Sequence, residues 1–158
     1  MEGFRHTAEQ LGGEAVEGYD QVLWTDANDH TYIEESGMMN VMFVINGKLV
    51  TAPLSDSILD GVTRDSLLTL AQELGYETEE RPIAVAELEA AFKKGMITEA
   101  FGAGTAAVVA PIQTIHINGI DYSLPKYNGN NLLFKLKAGL ENIRLGISTD
   151  TYGWNFML

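Results

Sequence analysis

A chain of 158 residues, 46% of them apolar, has the size and composition of one globular domain and not of a disordered or fibrous polypeptide. Its net charge of −12, from 22 acidic against 10 basic residues, repels phosphate backbones, and no basic run longer than Lys93-Lys94 offsets it, so nucleic acid is not expected as a partner. The absence of cysteine excludes disulfides, thiolate metal sites and a cysteine nucleophile, and suits a reducing cytoplasm.

Residues 3–19 read as a weak helix interrupted by Gly12-Gly13. The first twenty residues lack a basic start and an apolar core, so no signal peptide is expected there. Strands follow over 21–26, 31–36 and 39–45, with a turn in the DAND cluster and a kink or close approach at Gly37. The longest apolar stretch, around Met38 to Ile45, is too short to cross a bilayer, so no membrane partner is expected. Asn46-Gly47 predicts a hairpin, because both central residues of a type I′ turn need positive φ, and Asn118-Gly119 predicts another.

Helical spacing predicts helices over 63–74, 85–94 and 130–145. The first places Leu67, Leu70, Ala71 and Leu74 on one face and stops at Gly75. The second has Val85, Leu88 and Phe92 on one face, acids early and lysines late, and stops at Gly95. The third aligns Leu133, Leu136, Leu140 and Ile143 and stops at Gly146. Between the last two, the apolar run 106–112 reads as a buried strand. Neither a repeat nor a low-complexity linker divides the chain. Hairpins mixed with helices predict an α/β (α+β) domain built on a mixed, largely antiparallel sheet with packed helices, not a regular doubly wound fold.

Three segments have chemistry in them. In LDGVTRDS (59–66), Gly61 lets the backbone approach a ligand and Val62 and Thr63 open a helix whose free N–H groups suit an anion; the bland alternative is an ordinary helix start. FGAGT (101–105) offers Gly102, Gly104 and the Thr105 hydroxyl as a phosphate-cradling nest, or else a tight turn. It lacks the Gly-Lys-Ser/Thr of a Walker loop and the third glycine of a dinucleotide fingerprint. Glu34-Glu35, entering an apolar strand beside Gly37, is a carboxylate pair poised to hold a cationic group or simply a solvated strand end. For an anion to bind, the helix start at Thr63 and the FGAGT segment must be neighbours in the fold. His6, His30 and His116 are dispersed without metal-ligand spacing, Asp26, Asp29 and His30 form no calcium loop, and no GxSxG nucleophile elbow is present, so no metal is expected.

These three segments, in this order, resemble the C-terminal domain of branched-chain amino acid aminotransferases, pyridoxal-phosphate enzymes of the fold-type IV group. The resemblance is carried by GYDQVLWTDANDHTYIEESGMMNVMFVINGKLVT, SDSILDGVTRDSLLTLAQELG, ITEAFGAGTAAVVAP and the tail TYGWNFML, spanning Gly18 to the C-terminus. It implies that Glu35 faces the pyridine nitrogen of the cofactor and keeps it protonated. It implies that Leu59 packs on the ring, and that the Val62 and Thr63 backbone with the Thr105 hydroxyl binds the phosphate, Gly61 and Gly104 lying in the matching loops. Ala106 matches a residue whose backbone helps bind the substrate carboxylate. Met38 stands where the family commonly has Thr, and Ala103 where it has Ser or Thr, so two hydroxyls are missing from the inferred site.

The family's Schiff-base lysine precedes the segment matching GYDQ, yet residues 1–47 contain no lysine and the first, Lys48, follows a turn where it should be exposed. The resemblance therefore implies the cofactor-cradling large domain of a cytoplasmic enzyme that moves an amino group between leucine, isoleucine or valine and 2-oxoglutarate. The resemblance implies that the N-terminal domain and the catalytic lysine are missing, so that the chain alone is not expected to transaminate and should hold pyridoxal phosphate weakly or not at all; apolar surface left by a missing domain should then favour a homo-oligomer or a partner domain. Other fold-type IV enzymes, a D-amino acid aminotransferase or an aminodeoxychorismate lyase, are the nearer alternative, and a non-catalytic fragment or binding module the farther one.

Overall fold

The computed structural model describes residues 4–8 and 19–155. In chain order it holds β1 (Phe4–Ala8), β2 (Gln21–Thr25), β3 (Ile33–Ser36), β4 (Met39–Ile45), β5 (Lys48–Thr51), α1 (Val62–Glu73), β6 (Thr78–Glu80), α2 (Val85–Lys93), β7 (Ile97–Gly104), β8 (Val108–Ile117), β9 (Ile120–Ser123) and α3 (Leu132–Arg144).

Both Asn-Gly pairs turn hairpins. Asn46 and Gly47 have φ of 51° and 76° and join β4 to β5, with Ile45 opposite Lys48. Asn118 and Gly119, at 49° and 79°, join β8 to β9 with Ile117 opposite Ile120. A third hairpin, read in the sequence as a kink or close approach, turns at Gly37-Met38 and sets Ser36 of β3 opposite Met39 of β4; the approach is close, since a Cβ on Gly37 would collide with the Gln21 side chain.

The strands run β3-β2-β1-β8-β7-β4-β5-β6, and β3 also pairs with β4. That extra pairing bends the sheet back on itself, so β3, β2, β1, β8, β7 and β4 form a closed ring with β5 and β6 extending from β4. Most pairs are antiparallel; β1 runs parallel to β2 and β8, and β5 parallel to β6. The mixed, largely antiparallel α/β reading holds, and ring closure is what hairpin signals could not convey.

Three expectations are corrected. The helix expected over 3–19 gives way to β1 at residues 4–8, where pairing with strands on both sides outweighs a weak helical period; its remainder, 9–18, lies outside the described residues. FGAGT is not a tight turn or nest: Phe101 to Gly104 close β7, and the turn is 105–107. The glycines serve packing, since a Cβ on Gly102 would stand 2.8 Å from Met39 Cε and one on Gly104 3.0 Å from Met39 Cγ. The buried strand expected over 106–112 starts at Val108 and continues to Ile117.

All three predicted helices form with ends within two residues of those expected. Each ends in the same Schellman geometry: Gly75, Gly95 and Gly146 take positive φ, and the residue after each donates to the carbonyl five back (Tyr76 to Ala71, Met96 to Ala91, Ile147 to Asn142). Every residue of β4 after Met39 is buried, because both faces of this central strand are covered. Met42 and Val44 pack in one core with α1, α3, Phe101 and Val109. Val41, Phe43 and Ile45 pack in a second with α2, Ile112, Ile115 and Ile117.

Candidate functional site

Strand register assembles the site. The β3–β4 hairpin sets Glu35 opposite Asn40, and β4–β7 pairing sets Asn40 opposite Ala103, so the carboxylate and the end of FGAGT lie in one row across three strands. Helix α1 packs against β7. Hydrogen bonds from Leu59 to Glu35 and Asn40 bring the loop before α1 to β4, the strand that Ala103 also pairs with.

Glu35 is half-buried. Its Oε1 accepts the Leu59 backbone N–H at 2.7 Å and the Asn40 side-chain Nδ2 at 3.3 Å. The same Nδ2 donates to the Leu59 carbonyl at 2.9 Å. The loop before α1 is thereby fastened over the carboxylate. Gly61 belongs to this fastening: a Cβ there would stand 2.3 Å from Asn40 Oδ1.

Helix α1 starts at Val62 with Gly61 as its N-cap and no side-chain cap bond. Asp65 N–H reaches the Gly61 carbonyl, but among the described residues the Val62, Thr63 and Arg64 N–H groups have no acceptor. These free donors at the positive end of the helix dipole are what an anion can use. Exposed Asp60 and Asp65 lie close by and oppose an anion, so the donors, not net charge, make the case. Arg64 does not help: its buried guanidinium turns away to the Ala52 carbonyl (2.8 Å) and Glu80 Oε2 (2.6 Å).

Leu59 and Val62 are exposed, 67% and 84%, and Met38 at the hairpin tip is 92% exposed, so this apolar rim has no partner among the described residues. Thr105 and Ala106 are exposed on the β7–β8 turn. That turn ends at Val108, a β-branched residue held at φ 59° with its side chain in the core, so packing imposes its shape. A cavity of about 890 Å³ lies beyond the turn, between β8 and α3. Ala106, Phe134, Lys137 and Arg144 line it, but Glu35, Leu59, Thr63 and Thr105 do not. The candidate site is an open surface beside that cavity.

Among the described residues, no lysine makes a hydrogen bond or ion pair with Glu35, Leu59, Thr63 or Thr105. Lys48, expected to be exposed, is instead half-exposed and paired to Glu77 (2.7 Å) and Glu79 (2.9 Å) on the far side of β5. Lys93 pairs loosely with Glu89 at 3.6 Å, and Lys126 and Lys137 face the cavity beyond the turn. Among the described residues no group of three His, Asp or Glu side chains could hold a metal, and no helix is long and apolar enough to cross a membrane.

Sequence reading brought Glu35, Leu59, Gly61, Val62, Thr63, Gly104 and Thr105 forward and passed over Asn40. An asparagine inside an apolar strand was the available signal, since such a residue is buried only when its amide is satisfied.

The amino-transferase class IV family matches residues 14–115. The chain is 45% identical over 137 residues to a probable branched-chain-amino-acid aminotransferase of Staphylococcus epidermidis, across 87% of this chain and 38% of that protein. It thus spans about two-fifths of the length of the curated relatives it matches. Among solved structures, the branched-chain amino acid aminotransferase from Escherichia coli shares the fold with a TM-score of 0.76 at 23% identity, over 96% of this chain and 56% of that one. The PLP-form of the branched-chain amino acid aminotransferase from Thermobaculum terrenum superposes with a TM-score of 0.66 at 30% identity, over 80% of this chain and 38% of that one.

Proposed function

The chain belongs to the class IV amino-transferase family, and from that premise we propose that it is the cofactor-cradling part of a pyridoxal-phosphate-dependent branched-chain aminotransferase. The parent reaction moves an amino group between leucine, isoleucine or valine and 2-oxoglutarate. The observation that carries the reading is the fastening of Glu35 beneath the loop that leads into the uncapped start of α1. A carboxylate and a set of free amides on one rigid patch suit a ligand with a cationic ring nitrogen at one end and a phosphate at the other.

Each residue has a task in this reading. Glu35 holds a proton on the ring nitrogen, and the bound cofactor then supplies an electron sink. The Val62 and Thr63 amides and the Thr105 hydroxyl take the phosphate, and Leu59 covers one ring face. Gly61 keeps its loop, and Gly104 the end of β7, close to β4. The Ala106 backbone meets the substrate carboxylate, and Met38 adds apolar surface where a hydroxyl is common. In this reading the covalent lysine is supplied by a partner domain or chain. A covering domain or a second copy then buries the rim of Met38, Leu59 and Val62. In this reading the protein works in the cytoplasm. The sequence relatives favour the branched-chain substrate class, because the fold alone serves several chemistries.

Pyridoxamine 5′-phosphate tests the reading without side reactions, since it carries no aldehyde to react with surface lysines. One saturable site is expected, weakened about ten-fold or more by Glu35→Gln and by Thr105→Ala, each of which removes a charge-assisted hydrogen bond. No saturation by the unmodified chain at millimolar ligand sinks the proposal.

A further inference from the structure

Asn40 lies where the segments of the site cross. Its backbone pairs with Glu35 on one side and Ala103 on the other. Its side chain is buried, and both N–H bonds are used, one to the Glu35 carboxylate and one to the Leu59 carbonyl. The Leu59 amide returns to the same Glu35 oxygen. Carboxylate, peptide and side-chain amide therefore form a closed circuit of hydrogen bonds. The remaining oxygen of Asn40 occupies the space a side chain at position 61 would need. A strand interior disfavours asparagine, and burying its amide is costly unless every polar atom is met.

We propose that Asn40 is a positioning residue that fixes the span between the Glu35 carboxylate and the α1 amides by fastening the Leu59–Gly61 loop to β4. The inference rests on the reading of the site given above and adds the part that sets its length. A ligand that touches two ends gains over its separate pieces only when the ends are held at the right distance. Loosening the loop removes that gain and leaves each end able to bind its own piece.

The test uses pyridoxamine 5′-phosphate, pyridoxamine and inorganic phosphate in calorimetric titrations of the full chain, with amide hydrogen exchange at Leu59 in the ligand-free protein. Asn40→Ala is expected to weaken the linked ligand by about ten-fold or more, while pyridoxamine and phosphate change by less than about two-fold. Leu59 exchange should accelerate. Gly61→Ala, approaching the same contact from the other side, should match this loss in the native background and add little on top of Asn40→Ala, because the clash is with Asn40 itself. If Asn40→Ala does not fold, Gly61→Ala carries the comparison alone. Unchanged affinity for the linked ligand in a folded variant overturns the positioning role. So does equal loss for all three probes, which marks general damage. No binding by the native chain removes the reading of the site and this inference with it, whereas native binding with an unaffected variant removes only the role of Asn40.

Discussion

Glu99 shows how much one buried carboxylate can organise. It sits on β7, yet its Oε1 accepts the Leu132 N–H (2.8 Å) and Asn131 Nδ2 (3.1 Å), and its Oε2 accepts the Leu133 N–H (2.9 Å). The Leu132 and Leu133 amides are the first donors of α3, which Asn131 does not cap with its own side chain. Glu99→Ala strands those donors in a buried setting, so a loss of about 3 kcal/mol is expected in urea unfolding. A change under about 1 kcal/mol would show that water replaces the carboxylate freely. Asp26 acts by charge instead. The Tyr32 amide, helped by the Asp29 and Thr31 amides, lowers its carboxyl from an ordinary 3.8 to about 2. A folded-state value below the unfolded one gives stability that is present above about pH 4 and lost as pH falls toward 2. The difference in melting temperature between the native chain and Asp26→Asn should hold constant above pH 5, narrow from about pH 4, and be mostly lost by about pH 2. A difference undiminished at pH 2 would assign the effect to side-chain shape instead. In the sequence the two acids looked alike. The DAND turn announced local amides for Asp26, whereas the partners of Glu99 lie over thirty residues downstream and leave no mark on ITEAF.

At the level of elements, β7 and β8 pair from Gly104–Val108 to Phe101–Pro111 and stop there. Pro111 has no N–H to continue the ladder. One step on, Ala100 N–H donates to the Tyr127 hydroxyl, which in turn donates to the Ile112 carbonyl, so a phenol stands between the strands where their direct bond fails. Burial pushes the Tyr127 hydroxyl well above the ordinary phenol value, in keeping with a neutral donor. Tyr127→Phe removes the bridge without changing packing, and a loss of about 1–3 kcal/mol is expected, together with faster exchange of the Ala100 amide. Retained protection of that amide would mean that β7 and β8 close directly. This bridge was beyond sequence reading, because it joins a loop residue to two strand groups with no local pattern. The helices and Asn-Gly hairpins were legible, since periodicity, stop glycines and turn chemistry act within a few residues. Glu35, Leu59 and Thr63 were legible as a set only through family resemblance; what their separate motifs lacked was the β3–β4–β7 register that makes them neighbours.

At the level of the whole molecule, the closed ring of strands is a scaffold with two filled cores, and it carries the candidate site on an open surface. Leu59, Val62 and Met38 are exposed while Glu35 is half-buried. Covalent catalysis in this chemistry needs a lysine amine within bonding distance of the cofactor aldehyde. The six lysines of the chain are engaged or placed elsewhere: Lys48 in its pair of glutamates, Lys93 and Lys94 at the end of α2, Lys135 on the outer side of α3, and Lys126 and Lys137 at the cavity beyond the β7–β8 turn. The isolated chain is therefore expected to bind cofactor without chemistry. Borohydride treatment with pyridoxal phosphate should label several surface lysines partially and none stoichiometrically. Leucine and 2-oxoglutarate should turn over slower than in a complete enzyme by several orders of magnitude, about the loss that removing a covalent nucleophile causes. Peptide mapping beside the activity assay decides the matter: stoichiometric labelling of a single lysine together with robust turnover would show that this chain carries its own nucleophile, and the cradle-only reading would fall.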